Sequence, residues 1–128
     1  GAGAGGEAEG EGEARTLPAV VYAIKYRTED EAVWLLERGA SVAEALLGPC
    51  LVASLQRRHT RVASLLLSSA AQRLKAVQAE EVVNEEHEGD TPLSALLSKP
   101  IHEPWTGRDY SVLSDLQALG AMNKPVIR

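Results

Sequence analysis

At 128 residues the chain has room for about one domain. With 45% hydrophobic residues, 4% aromatic and no Phe, its core has to be built from Leu, Val, Ala and Ile. A net charge of −5 provides no general positive field for phosphate backbones, which argues against nucleic acid as a partner; no apolar run reaches the roughly 20 residues of a membrane helix, so no membrane insertion and an intracellular (cytoplasmic or nuclear) setting are expected.

Residues 1–15, GAGAGGEAEGEGEAR, contain only Gly, Ala, Glu and one Arg. Such a segment buries too little apolar surface to offset its ordering entropy, and it reads as a disordered tail. From residue 16 to 128 the pattern changes to that of a folded domain. Val20, Ala23 and Ile24 share helical spacing, as do Ala32, Leu35 and Leu36, so two amphipathic helices are expected. Thr28 with Glu31 three residues on is a capping box that starts the second helix near Glu29, and Gly39 ends it in the left-handed C′ position.

The same pattern returns without a gap. Pro18 to Ala40 superimposes on Pro49 to Ala71, which supplies Leu51 and Leu55 on one helix and Val62, Leu65, Leu66 and Leu67 on another. Cys50, alone in the chain and inside an apolar run, is read as a small buried hydrophobe, not a nucleophile. Ala70 replaces the stopping glycine, so an elongated or additional helix is expected, its stripe running through Leu74, Val77 and Val82. A third copy follows, interrupted in the middle. It supplies Leu93, Leu96 and Leu97, then Val112, Leu113 and Leu116, with Asp109 as N-cap of the last helix and Ile101 to Arg108 as a loop. Trp105 in that loop is expected to fold over the end of the array as a lid, with an exposed anchor for a partner as the alternative.

Repeats of this period mark stacked supersecondary units that cannot bury their apolar faces singly. The turn Gly89-Asp90-Thr91-Pro92-Leu93, the Gly-Ala pairs at Gly39 and Gly120, and His59 opening a second helix resemble the ankyrin-repeat family. The resemblance covers nearly everything from Arg15 to Asn123, as about three degenerate repeats near 16–45, 46–84 and 85–123. Pro18 and Pro49 stand where that family has Thr, and Ser94 where it usually has His. What the resemblance implies is an all-α solenoid of stacked helix-turn-helix units with hairpin or loop fingers. It also implies a non-catalytic interaction module, with the first helices lining a concave face.

The contact positions implied in that way are the ends of the first helices and the fingers. They are Lys25, Tyr26 and Arg27 in the first copy, Gln56, Arg57 and Arg58 in the second, and Ser98 and Lys99 in the third, forming a basic stripe suited to an acidic protein segment. His87, Glu88 and Asp90 on the finger and Trp105 in the loop complete the set. Neutralising Lys25, Arg57 and Arg58 together is expected to weaken binding and leave stability nearly unchanged. The alternative is a structural block that packs against other domains or self-associates, although a monomer is expected. The scattered His59, His87 and His102 offer no metal spacing, and no cofactor or catalytic residue is assigned.

Overall fold

The computed structural model describes residues 17–122, so the expected acidic tail lies outside the described residues. Those residues form an all-helical structure of seven helices: α1 (Ala19–Tyr26), α2 (Glu29–Glu37), α3 (Glu44–Gln56), α4 (Thr60–Arg73), α5 (Ala76–Val83), α6 (Pro92–Leu97) and α7 (Gly107–Ala118). The first break is made locally. Thr28 Oγ1 accepts from the Glu31 amide at 3.2 Å while the Glu31 carboxylate accepts from the Thr28 amide at 3.3 Å, so two free amides of α2 are satisfied at once.

Packing follows the helical spacing. Val20, Ala23 and Ile24 of α1, Ala32 of α2, Leu51 and Leu55 of α3, Val62, Leu66 and Leu67 of α4, Leu93 and Leu96 of α6, and Val112 and Leu116 of α7 lie in one buried cluster. Helix α1 packs on α2 and α3, α3 on α4 and α6, α2 on α4, α4 on α7, and α6 on α7. Thus α1, α3 and α6 are successive neighbours, and so are α2, α4 and α7. Helix α5 fits against both α3 and α4.

The helix ends explain where the chain turns. After α2, the Gly39 amide donates to Leu36 and the Ala40 amide to Leu35, with Gly39 at φ +101°; after α7, Gly120 at φ +102° and Ala121 repeat both bonds to Gln117 and Leu116. These are Schellman ends, in which a left-handed residue lets the chain satisfy its last carbonyls. Helix α3 closes in the same way. There the left-handed residue is Arg58, at φ +64°, with its amide on Leu55 and the His59 amide on Ser54.

Helix α3 begins at Glu44, so Pro49 lies inside it, past the first turn, whereas the aligned Pro18 precedes α1; Pro49 cannot donate to the carbonyl four residues back, a cost that the buried face of α3 at Leu47, Cys50 and Leu51 has to offset. After Ala70 the additional helix is the alternative that forms: Leu74 is extended and α5 starts at Ala76, so the stripe is divided between two helices. That break turns Ala79, Val82 and Val83 inward and leaves Val77 exposed. Two expectations, both about the start of α7, are corrected. The N-cap of α7 is Thr106, not Asp109, and Gly107 and Arg108 belong to the helix; Asp109 is the third helical residue and completes a capping box.

Candidate functional site: the helix-end row

The C-terminal ends of α1, α3 and α6 meet, and two consecutive arginines tie them together. Arg57 Nη1 donates to the Ile24 carbonyl at 2.8 Å, in the last turn of α1. Arg58 turns the other way. Its Nη1 donates to the Ala95 carbonyl at 3.0 Å, near the end of α6, and to Leu55 at 3.3 Å, while Nη2 reaches Ser98 Oγ at 3.4 Å. The last carbonyls of a helix lack intrahelical donors and carry the negative end of its dipole, so a guanidinium is the matching group. Arg57 and Arg58 are therefore half-buried cross-braces as well as charges.

Each arginine bonds a neighbouring helix pair. Removing Arg57 takes a donor from the Ile24 carbonyl, and removing Arg58 takes one of several donors from the Ala95 carbonyl, so neutralising them is now expected to lower stability as well as charge.

Beside this row lies a shallow cleft of about 480 Å³ lined by Tyr26, Arg27, Thr28, Glu29, Glu31, Arg57 and His59. Tyr26 is 56% exposed and tilts against Tyr22 with ring centroids 5.1 Å apart. Arg27 is held to Glu31 by Nε and Nη2 contacts of 3.2 Å, which keep the Glu31 carboxyl below its usual range. Lys25 is half-buried in the last turn of α1. The cleft thus presents an exposed ring and both signs of charge.

His59 is the N-cap of α4, with no side-chain cap bond, and its Nδ1 is buried without a hydrogen-bond partner. Burial first, then the Arg57 charge, depresses its pKa against the opposing pull of Glu29. The imidazole is neutral at neutral pH.

The finger joins the row through Gln56. Its Nε2 donates to Asp90 Oδ2 at 2.9 Å and to the Glu88 carbonyl at 3.4 Å. His87 and Asp90 form an antiparallel bridge across Glu88 and Gly89, both at positive φ (54° and 85°), which is the two-residue turn that matches strand twist. Asp90 Oδ1 accepts from Ser94 Oγ at 2.7 Å, and Ser94 and Thr91 complete a capping box on α6. Ser94 therefore holds the turn in the place where the resemblance led one to expect His.

Lys99 is committed elsewhere. Its Nζ donates to Asp109 Oδ2 at 2.7 Å and to the Pro104 carbonyl at 2.9 Å, with 13% and 6% of the two charged side chains exposed. Burial alone would raise the Asp109 pKa, but hydrogen bonds from Lys99 and the Thr106 amide outweigh it and lower it. Trp105, in the loop that this pair pins, is half-buried against the core and lies 5.0 Å from the Tyr110 ring.

The structure brings together Tyr26, Arg27 and Arg57 around one cleft, and Gln56, Glu88 and Asp90 at the finger. It carries Lys99 and Trp105 to the α6–α7 loop. Sequence reasoning missed the bracing role of Arg57 and Arg58 and the Lys99–Asp109 pair. The start of α7 had a signal, since Thr106-x-x-Asp109 has the spacing of a capping box, but nothing local points from Asp109 to Lys99.

Among the described residues no group of three or more His, Cys, Asp or Glu side chains could hold a metal ion, and no helix is long and apolar enough to cross a membrane. Cys50 is fully buried, and burial pushes its thiol up to about 11 against the opposing charge of Lys25. No protein-family model matches this chain, and neither does a curated protein or a solved structure.

Proposed function

We propose that this chain is a non-catalytic protein-interaction module, an ankyrin-like stack of about three helix pairs that holds an acidic segment of another protein along its helix-end row and finger. The observation that carries this reading is the bracing by Arg57 and Arg58, which sets the ends of α1, α3 and α6 side by side on one edge. The neighbour order α1–α3–α6 and α2–α4–α7 supports a stacked arrangement.

Of the basic residues in the row, Arg57, Arg58 and Lys99 are spent largely on internal carbonyls and carboxylates. Recognition then falls to Lys25, Tyr26 and Arg27, with the residual field of Arg57. An exposed Tyr flanked by cations is the composition that interface hot spots favour. The Arg27–Glu31 pair is exposed and worth little, so an incoming carboxylate can take Glu31's place at small cost.

The test is binding of Glu/Asp-rich peptides to the full chain at low salt, followed for the wild type, Tyr26→Ala and the Lys25→Ala/Arg27→Ala double variant. The reading predicts at least about tenfold weaker binding in both variants, roughly 1.4 kcal/mol, with unchanged melting. Binding that survives both variants, or none in the wild type, contradicts it.

A further inference from the structure

The outer side of the first helix pair carries a groove of about 650 Å³ that none of the described residues fills. Ala19 and Ala23 of α1 lie along it with Tyr22, and Trp34 and Leu35 of α2 line the other side. Trp34 is 54% exposed and Tyr22 37%. Three of the chain's five aromatic residues, Tyr22, Tyr26 and Trp34, sit on these two short helices.

The internal repeat shows what this side corresponds to. In the gap-free alignment Ala19, Tyr22 and Ala23 take the places of Cys50, Ala53 and Ser54. In the second pair, against which α1 and α2 pack, Cys50 is fully buried where Ala19 of the first pair is exposed, while Ala23 and Ser54 are both buried. Tyr26 likewise stands at the position of Arg57, the residue that reaches back to the preceding pair. The groove is the first pair's version of a face that is covered in the second.

We propose that this face pairs with the same face of a second copy of the chain, in a weak two-fold dimer. Charge favours this occupant. The chain as a whole is at −5, so copies repel, yet this face is locally neutralised, with Arg27 paired to Glu31, Asp30 to Arg61, and Arg38 over the Trp34 ring. A patch with both signs around an apolar centre is self-complementary, which a two-fold contact requires. Arg38 covers one side of the Trp34 ring at 4.3 Å and leaves the ring's remaining surface available.

The chain's own first sixteen residues are poor competitors, because their only apolar side chains are alanine methyls. Helices of eight and nine residues span only about 12 to 14 Å, so the contact falls below the roughly 800 Å² per partner of a stable complex and the dimer is transient.

Sedimentation equilibrium of the full chain, from about 10 μM to about 1 mM, tests this in the range where such small interfaces associate. The expected result is a mass rising with concentration toward two copies and no further, with Trp34→Glu remaining monomeric and Trp34→Tyr still associating. Trp34 is exposed and outside the core, so circular dichroism of Trp34→Glu is expected to match the wild type. A wild type monomeric throughout overturns the proposal and leaves the face to a different partner. A dimer indifferent to Trp34→Glu, or growth beyond two copies, overturns it as well.

Discussion

Arg58 adopts a left-handed backbone, φ +64°, and from that position its guanidinium reaches the Ala95 carbonyl, 37 residues along the chain, at 3.0 Å. A non-glycine residue in this region costs on the order of 1 kcal/mol or more. The strain is offset because the same backbone closes α3 while the side chain caps α3 and α6 together. Arg57, bonded to Ile24 33 residues earlier, does the same toward α1.

Urea denaturation of Arg58→Ala is expected to show a loss of about 1.5 to 3 kcal/mol, the range for hydrogen bonds to a charged group, with an unchanged slope. Arg58→Gly relieves the backbone and loses only the side chain, so it is expected to be the more stable of the two variants. Equal stability would mean that the left-handed conformation carries no cost here.

Gly39 separates backbone strain from crowding. A Cβ there meets nothing within 4 Å, so Gly39→Ala tests the φ of +101° alone, and a melting experiment is expected to show a loss of about 1 kcal/mol. At Gly120 the added Cβ would also come within 3.1 Å of the Glu80 side chain. Gly120→Ala is therefore expected to cost more than Gly39→Ala, and Glu80→Ala should close the difference.

The Lys99–Asp109 pair sets the acid limb of stability. Because the folded Asp109 pKa is lowered, the unfolded chain binds its proton first as pH falls. The pair's contribution is complete above about pH 4, the ordinary aspartate range, and is lost as pH drops through the folded value. Asp109→Asn leaves Lys99 nearly buried without its counter-charge and is expected to cost about 3 kcal/mol at neutral pH, with a flatter loss below pH 4 in acid titrations.

Cys50 is predicted to be chemically silent in the native state. With the side chain fully buried and the thiol pushed up to about 11, alkylation at pH 8 is expected to proceed only through unfolding, at a rate that falls as stability rises. One fast-reacting thiol in denaturant and none in buffer would agree. Fast labelling of the folded chain would show that α3 opens locally.

Much of this architecture is legible where the signal is local. Thr28 and Glu31, Gly39 and Gly120, and the Leu and Val stripes each act within one or two turns of helix, and each appears where its spacing points. What is not legible depends on distance along the chain. Nothing near Arg57 or Arg58 announces carbonyls more than thirty residues away. The start of α3 at Glu44 was hidden because proline is an ordinary helix opener, whereas here the helix is already in its second turn when it reaches Pro49. The same holds for the site. Tyr26 and Arg27 could be chosen by position, but which cations are left for a ligand depends on bonds that form only after folding.

The most direct test of the interaction reading is an NMR titration of the full, ¹⁵N-labelled chain with a short Glu/Asp-rich peptide. The account predicts saturable shifts concentrated at Lys25, Tyr26 and Arg27, extending to Gln56 and the Glu88–Asp90 turn, with little change across Trp34 and Leu35. Shifts confined to the Trp34 face, or none at saturating peptide, would contradict it.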